Sequence, residues 1–198
     1  MQQTGTNQIA RLAAELLVED STSSIDQAVQ SARSQLGLLD VPLPSRGLVR
    51  QHCRAWAQAV LGEQGYKNSI KEKLVVIAQL ADSLLYLQPE IRIMVMGRAA
   101  QSLFDGPGRV HLRLFTDDEL VDLAERLVTL GYEEPSFHTV DTQYGRMTQL
   151  HFRESTLDFC LTMIRSSIRF NEQEDLFTGK QVASVQVQEL RAMIQELS

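Results

Sequence analysis

The stretch "IRIMVMGRAAQSLFDGPGRVHLRLF", residues 91–115, decides how the chain is read. Its opening run, "IRIMVM", has the apolar, β-forming composition of a buried strand. Gly97 interrupts it, "RAAQSLF" supplies a short helix, and "DGPG" turns the chain. "RVHLRLF" then alternates Val110, Leu112 and Leu114 with Arg109, His111 and Arg113, the period of a half-buried strand. Strand, short helix, turn and second strand are therefore expected here.

Upstream, the period is helical. Ile9, Leu12, Ala13, Leu16 and Leu17 make one stripe, and Ile25, Val29, Ala32 and Leu36 make another that stops at Gly37. "DVPLPSRG" is a loop. Val49, Cys53, Trp56 and Val60 share a third helix face that ends at Gly62. "NSIKEKLVVIAQLADSLLYL" opens on Ser69 and Glu72, spaced as a capping box, and is apolar enough for the central helix of a small bundle. Downstream, Thr116 and Glu119 have the same spacing ahead of "DDELVDLAERLVTLG", which closes at Gly131. "SFHTVDT", "RMTQLHF" and "TLDFCLTMI" read as strands, and "SVQVQELRAMIQELS" as a closing helix. The fold class that follows is α+β, with an N-terminal helical bundle over 1–88 and a mixed β-sheet with flanking helices over 89–198.

Composition narrows the function classes. The 198 residues are 43% hydrophobic and 22% charged, ordinary for a globular chain. A net charge of -6 runs against the basic footprint of nucleic-acid binders, so nucleic acid is not an expected partner. Cys53 and Cys160 lie in apolar segments without metal-type spacing, and buried thiols in a reducing compartment are expected. The first residues lack the basic-then-apolar pattern of a leader, and no run approaches ~18 apolar residues. A cytoplasmic protein, not inserted in a membrane, is the expectation.

"VMGRAAQSLFDGPGRVHLRLF", the helix after it, "LGYEEP", the later strands and "LDFCL" together resemble the nucleotidyltransferase fold of the polymerase-β superfamily, in its minimal, toxin-like branch. The resemblance spans roughly residues 91–165. It implies a glycine turn that brings backbone N–H groups to a triphosphate. It also implies two strand acids on one face and a third on a later strand, which hold two magnesium ions about 3.5–4 Å apart. In this chain Gly97 matches the second glycine of the turn, Met96 stands at the first, and Arg98 and Ala99 follow. His111 and Arg113 occupy the paired metal-ligand positions, and Asp158 matches the third acid.

With one acid of three retained, and a fixed guanidinium charge at a magnesium position, the resemblance implies a protein that does not carry out two-metal transfer and needs no cofactor. Gly97, Arg98, Arg109, His111 and Arg113 would then bind a phosphorylated small molecule, or the surface would take a protein partner. The alternative is an active transferase moving a nucleoside monophosphate to a protein or small molecule. Its Mg²⁺ or Mn²⁺ would be held by Asp105, Asp117, Asp118 and Asp158, although Asp105 also fits an Asp-Gly turn and Asp117 and Asp118 a helix's first turn. His111 with His138 or His151 would suit a softer metal. A homodimer is a further candidate assembly, and the sequence leaves open whether the helices would form it. The segment "RSSIRFNEQEDLFTGKQV" lacks the spacing of a phosphate loop and is expected to connect to the last helix and pack back on the helical half.

Overall fold

A computed structural model describes residues 2–19, 24–169 and 171–197. The protein is α+β and divides into two compact units: Met1–Asn68 with Phe104–Gly108, and Ser69–Leu103 with Arg109–Ser198.

The first unit is helical. It contains α1 (Gln2–Glu19), α2 (Ile25–Gln35) and the first part of α3 (Arg46–Leu87). Ile9, Ala10, Ala13 and Ala14 of α1 close against Ile25, Ala28, Val29 and Ala32 of α2, with Val49 and Cys53 of α3 beside them. Small alanines on both helices let the backbones approach, and the larger Leu12, Leu16 and Leu17 are left half-covered at the rim. Ser24 caps α2 by accepting from the Gln27 amide.

α3 breaks at Gly62, whose φ of 69° and ψ of 173° are not helical. The helix resumes at once, so Ser69 lies within it and forms no capping box. Past that point Leu74, Ile77, Leu80, Ala81 and Leu84 are buried, each large side chain contributing roughly 1.5–3 kcal/mol. They serve the second unit, not a helical bundle, because residues 69–87 belong with the sheet. The change of period at Ile91 and the division between units therefore fall at different places in the chain.

The second unit is one six-stranded mixed sheet in the order β3-β4-β5-β2-β1-β6. Its strands are β1 (Arg92–Met96), β2 (Val110–Phe115), β3 (Ser136–Thr142), β4 (Gly145–Glu154), β5 (Leu157–Ile164) and β6 (Ser184–Gln186). β2 and β5 run parallel and the other pairs antiparallel. The helices are α4 (Leu120–Thr129) and α5 (Val187–Glu196). Val110, Leu112, Leu114, Phe159, Leu161, Leu150 and Phe152 are buried on one face. There Tyr132 packs edge-on to Phe152 and hydrogen-bonds Ser83 of α3.

Three local expectations are corrected. The sequence after Gly97 forms a single 3₁₀ turn (Ala99–Gln101), with Ser102 left-handed at its end, and not an amphipathic helix. Thr116 does not cap α4: its hydroxyl accepts from the Asp118 amide and the Gln88 side chain, and Glu119 is the N-cap, its side chain making no bond to the helix's first amides. The capping box sits instead at α5, between Gln186 and Glu189. The closing segment also begins as a strand, since Ser184–Gln186 pairs with β1 before the helix starts.

Candidate functional site

β2 carries the residues that the sequence singles out. The register sets His111 beside Cys160 and Met96, and Arg113 beside Thr162 and Met94, so these side chains share the sheet face opposite the buried helix layer. The described part of the segment "RSSIRFNEQEDLFTGKQV", with residues up to 183, crosses that face. Leu176 inserts between Met147 and Ile164, with Phe115, Val140, Tyr144 and Ile168 around it. This corrects the expectation that the segment packs back on the helical half.

Arg113 is what holds this strap. The side chain is 5% exposed, and its guanidinium donates to the carbonyls of Glu172, at 2.6 Å, and Glu174. Burial pushes its pKa down, while the Asp175 carboxylate, Tyr144 and Glu172 pull it up. An arginine stays charged against such opposition. The second ligand position of the resemblance therefore holds a fixed cation that the chain itself has already satisfied.

The glycine turn is likewise committed. Gly97 has φ of +68°, and its N–H donates to the carbonyl of Ala183 at 2.7 Å. Arg98 heads one 3₁₀ turn, and its carbonyl accepts from Gln101 and Leu103. With no full helix behind it, that turn presents no helix dipole to a phosphate.

The rest of the face is open. Arg109, just ahead of β2, and His111 are exposed, and Asp158 directly precedes Phe159, the β5 partner of Val110, and stands opposite Arg153 of β4. Desolvation first, with Arg109 and Arg113, lowers the His111 pKa, and Asp175 opposes the shift. Cys160 is 1% exposed, and burial raises its pKa, so it is held as a thiol and not as a nucleophilic thiolate.

His138 and His151 are also on this face, but their rings stack at 4.2 Å and do not converge. Ser136 Oγ donates to the His151 carbonyl, so the contact from His138 Nε2 must be an N–H donating to that hydroxyl. Gln149 Nε2 donates to Thr162, leaving its Oε1 to accept from His151 Nε2. Nδ1 of His151 is buried and finds no hydrogen-bond partner among the described residues. Adding a proton there would create a cation and a donor with nothing to receive it. Desolvation first, then Arg109, His138 and His111, push the His151 pKa down to about 4.

A pH dependence follows. His151 is neutral in the folded protein down to about pH 4, whereas the unfolded ring takes up its proton near pH 6.5. The unfolded state binds more protons between those values, so stability falls as pH drops from about 6.5 to about 4 and this contribution is flat below. The ring is half-exposed, which reduces the expected loss to about 1–2 kcal/mol. Urea midpoints at both ends of that window, for the wild type and His151→Gln, measure it. A pH slope undiminished by the substitution would assign the proton uptake elsewhere.

Within the second unit the acids of the alternative reading are not brought together. Asp105 is in the first unit, 5% exposed, and accepts from Arg54 Nη2 at 2.8 Å. Asp117 follows β2 and accepts from the Ser166 amide and hydroxyl at 2.9 and 2.7 Å, which lower its pKa. Asp118 is beside it and exposed. Asp158 is at the opposite end of the parallel pair, on the order of 20 Å away along the strands. Among the described residues no group of three acids, histidines or cysteines is placed to hold a metal ion.

A cleft of about 600 Å³ that the sequence did not indicate opens beyond the carboxyl ends of β2 and β5, lined among others by Arg92, Phe115, Asp117, Arg165, Arg169 and Glu172. Parallel strands are where such crevices form, and the signal would have been "TDD" and "RSS" directly after them, had their pairing been known. Two of its arginines are paired: Arg92 with Glu172, also of the cleft, and Arg165 with Glu119. Arg92 also lies 3.9 Å over the Phe115 ring.

No family model matches the chain, and no curated protein matches it. Among solved structures the chain is similar to a cytoplasmic RNA terminal U-transferase, at a TM-score of 0.40 and 16% sequence identity; the likeness covers 57% of this chain and spans 36% of the length of that one.

Proposed function

We propose that the protein is nucleotidyltransferase-like without being a working transferase, and that it acts as a metal-free binding module for a phosphorylated ligand or a protein partner. The observation that carries this reading is Arg113, a buried fixed cation bound to two strap carbonyls where the resemblance requires a magnesium ligand. A divalent ion beside it would meet repulsion in a low-dielectric setting. The phosphate contact then falls to Arg109 and His111, which remain at the open end of β2; Gly97 and Arg113 are internally engaged, and Arg98 is half-buried.

Titration calorimetry with ATP, CTP, GTP and UTP, each with Mg²⁺, Mn²⁺ or EDTA, tests the reading. Binding is expected to survive EDTA and to weaken about ten-fold or more in Arg109→Ala, the loss of one charge-assisted hydrogen bond. Metal-dependent binding that disappears in Asp158→Ala would overturn it in favour of an active transferase. No binding of any nucleotide would remove the phosphate ligand and leave the protein partner.

A further inference from the structure

β3 is the outermost strand of the sheet, and among the described residues it pairs with β4 alone. The other edge, β6, is three residues long and runs straight into α5. β3 is seven residues long and nowhere fully buried, and its sequence, "SFHTVDT", contains no proline and no lysine. Natural sheets blunt such edges with those residues, a bulge or a cover, because an open ladder invites another strand.

The helix side of the same edge is unfinished. α4 turns Leu120, Leu123, Ala124 and Leu127 inward, yet Val121 and Val128 on its outer flank are 53% and 44% exposed. Phe137 of β3 points to this side, opposite Leu150 of β4, and is 48% exposed where one more strand would cover it. Val121, Val128, Phe137 and Pro135 line a groove of about 480 Å³, together with Ala124 and two acids, Glu125 and Glu134, and no cation. An added strand would extend the ladder and tuck its alternate side chains under α4 against Phe137.

We propose that this edge and groove dock an extended segment of a partner protein, which joins the sheet as a further strand and carries apolar residues on one face with lysine or arginine near Glu125 and Glu134. The charge of the groove selects that occupant over a second copy of this chain. The β3 of a second copy brings Asp141 and His138 but neither lysine nor arginine, and the chain's net charge is -6. The site lies on α4 and β3, so it stands whether or not Arg109 and His111 take phosphate.

Synthetic peptides of about eight residues, a usual strand length, test the proposal on the full chain. Valine or isoleucine occupies alternate positions with serine between them, and the end position of that apolar face is lysine in one, glutamate in a second and serine in a third. NMR shifts and amide hydrogen exchange are followed. The lysine peptide is expected to protect β3 amides and to shift the Val121 and Val128 methyls, with the glutamate peptide weaker by ten-fold or more. Glu125→Lys with Glu134→Lys, both at exposed positions, should reverse that preference, and Val128→Asp should abolish binding by every peptide while the spectrum of the unbound protein remains folded. Absence of protection at β3 with any peptide, shifts confined to another surface, a preference unmoved by the charge reversal, or self-association through β3 without peptide would each overturn the proposal.

Discussion

Replacing Arg113 with methionine is expected to destabilise the second unit by about 2–3 kcal/mol, although the substitution is apolar and of similar length. The guanidinium donates to the carbonyls of Glu172 and Glu174, and its removal strands both acceptors under the strap. Buried unsatisfied groups cost roughly 1–3 kcal/mol each, offset in part because the methionine no longer requires a charge to be desolvated. The damage should be local first. The strap's own bonds, Val182 N–H to Gln173 and the Gln143 N–H to Leu176, should exchange with solvent faster than the amides of β2 and β5. Lysine is not expected to rescue, because a single ammonium cannot reproduce a two-pronged planar donor. Urea denaturation followed by circular dichroism gives the total, and hydrogen exchange locates it. Unchanged exchange across residues 171–183 would mean that Leu176, not Arg113, fastens the strap.

The second large effect is expected in the first unit, at Arg54. Its guanidinium meets Asp105 at 2.8 Å, with the aspartate side chain 2% exposed and the arginine 40%. The asymmetry sets the order of the two deletions. Arg54→Met leaves a carboxylate buried without its cation, at about 2–3 kcal/mol. Asp105→Asn leaves an arginine that can turn to water, and should cost about half as much. Trp56, the only tryptophan, lies in the first unit, so its fluorescence during unfolding reads this pair directly. Equal losses from the two substitutions would show that hydrogen bonding to the Asp105 side chain, and not its charge, is what matters.

Period and punctuation made most of the elements legible in the sequence. The strands around "VHLRLF", "SFHTVDT" and "LDFCLTMI", the stops at Gly37 and Gly131 and the break at Gly62 follow from alternation and from positive-φ glycines. The misreadings share a cause. Ser69–Glu72 and Thr116–Glu119 have capping-box spacing, but spacing cannot say whether a helix is already under way or whether the hydroxyl is occupied by Gln88. Arg113 looked like an exposed partner of Arg109 because alternation places both on one face, and nothing local shows that a strap about sixty residues later will cover one and leave the other. The stacking of His138 on His151 depends on a strand pairing that the sequence does not print. The cleft beyond β2 and β5 was hidden for the same reason: their parallel partnership spans α4 and two strands.

Gly62 and the short insert Phe104–Gly108 have a consequence for taking the protein apart. The second unit begins inside α3, at Ser69, while the first recruits five residues from beyond β1. Neither unit is a continuous stretch of chain, so no single cut separates them whole. Cleavage at residue 88 would leave the sheet without Leu74, Ile77, Leu80 and Leu84, and cleavage at residue 68 would leave Arg54 without Asp105. Recombination that exchanges one unit for a foreign one would need two crossovers flanking residues 104–108 besides the one after residue 68, a constraint that favours inheritance of the whole arrangement together.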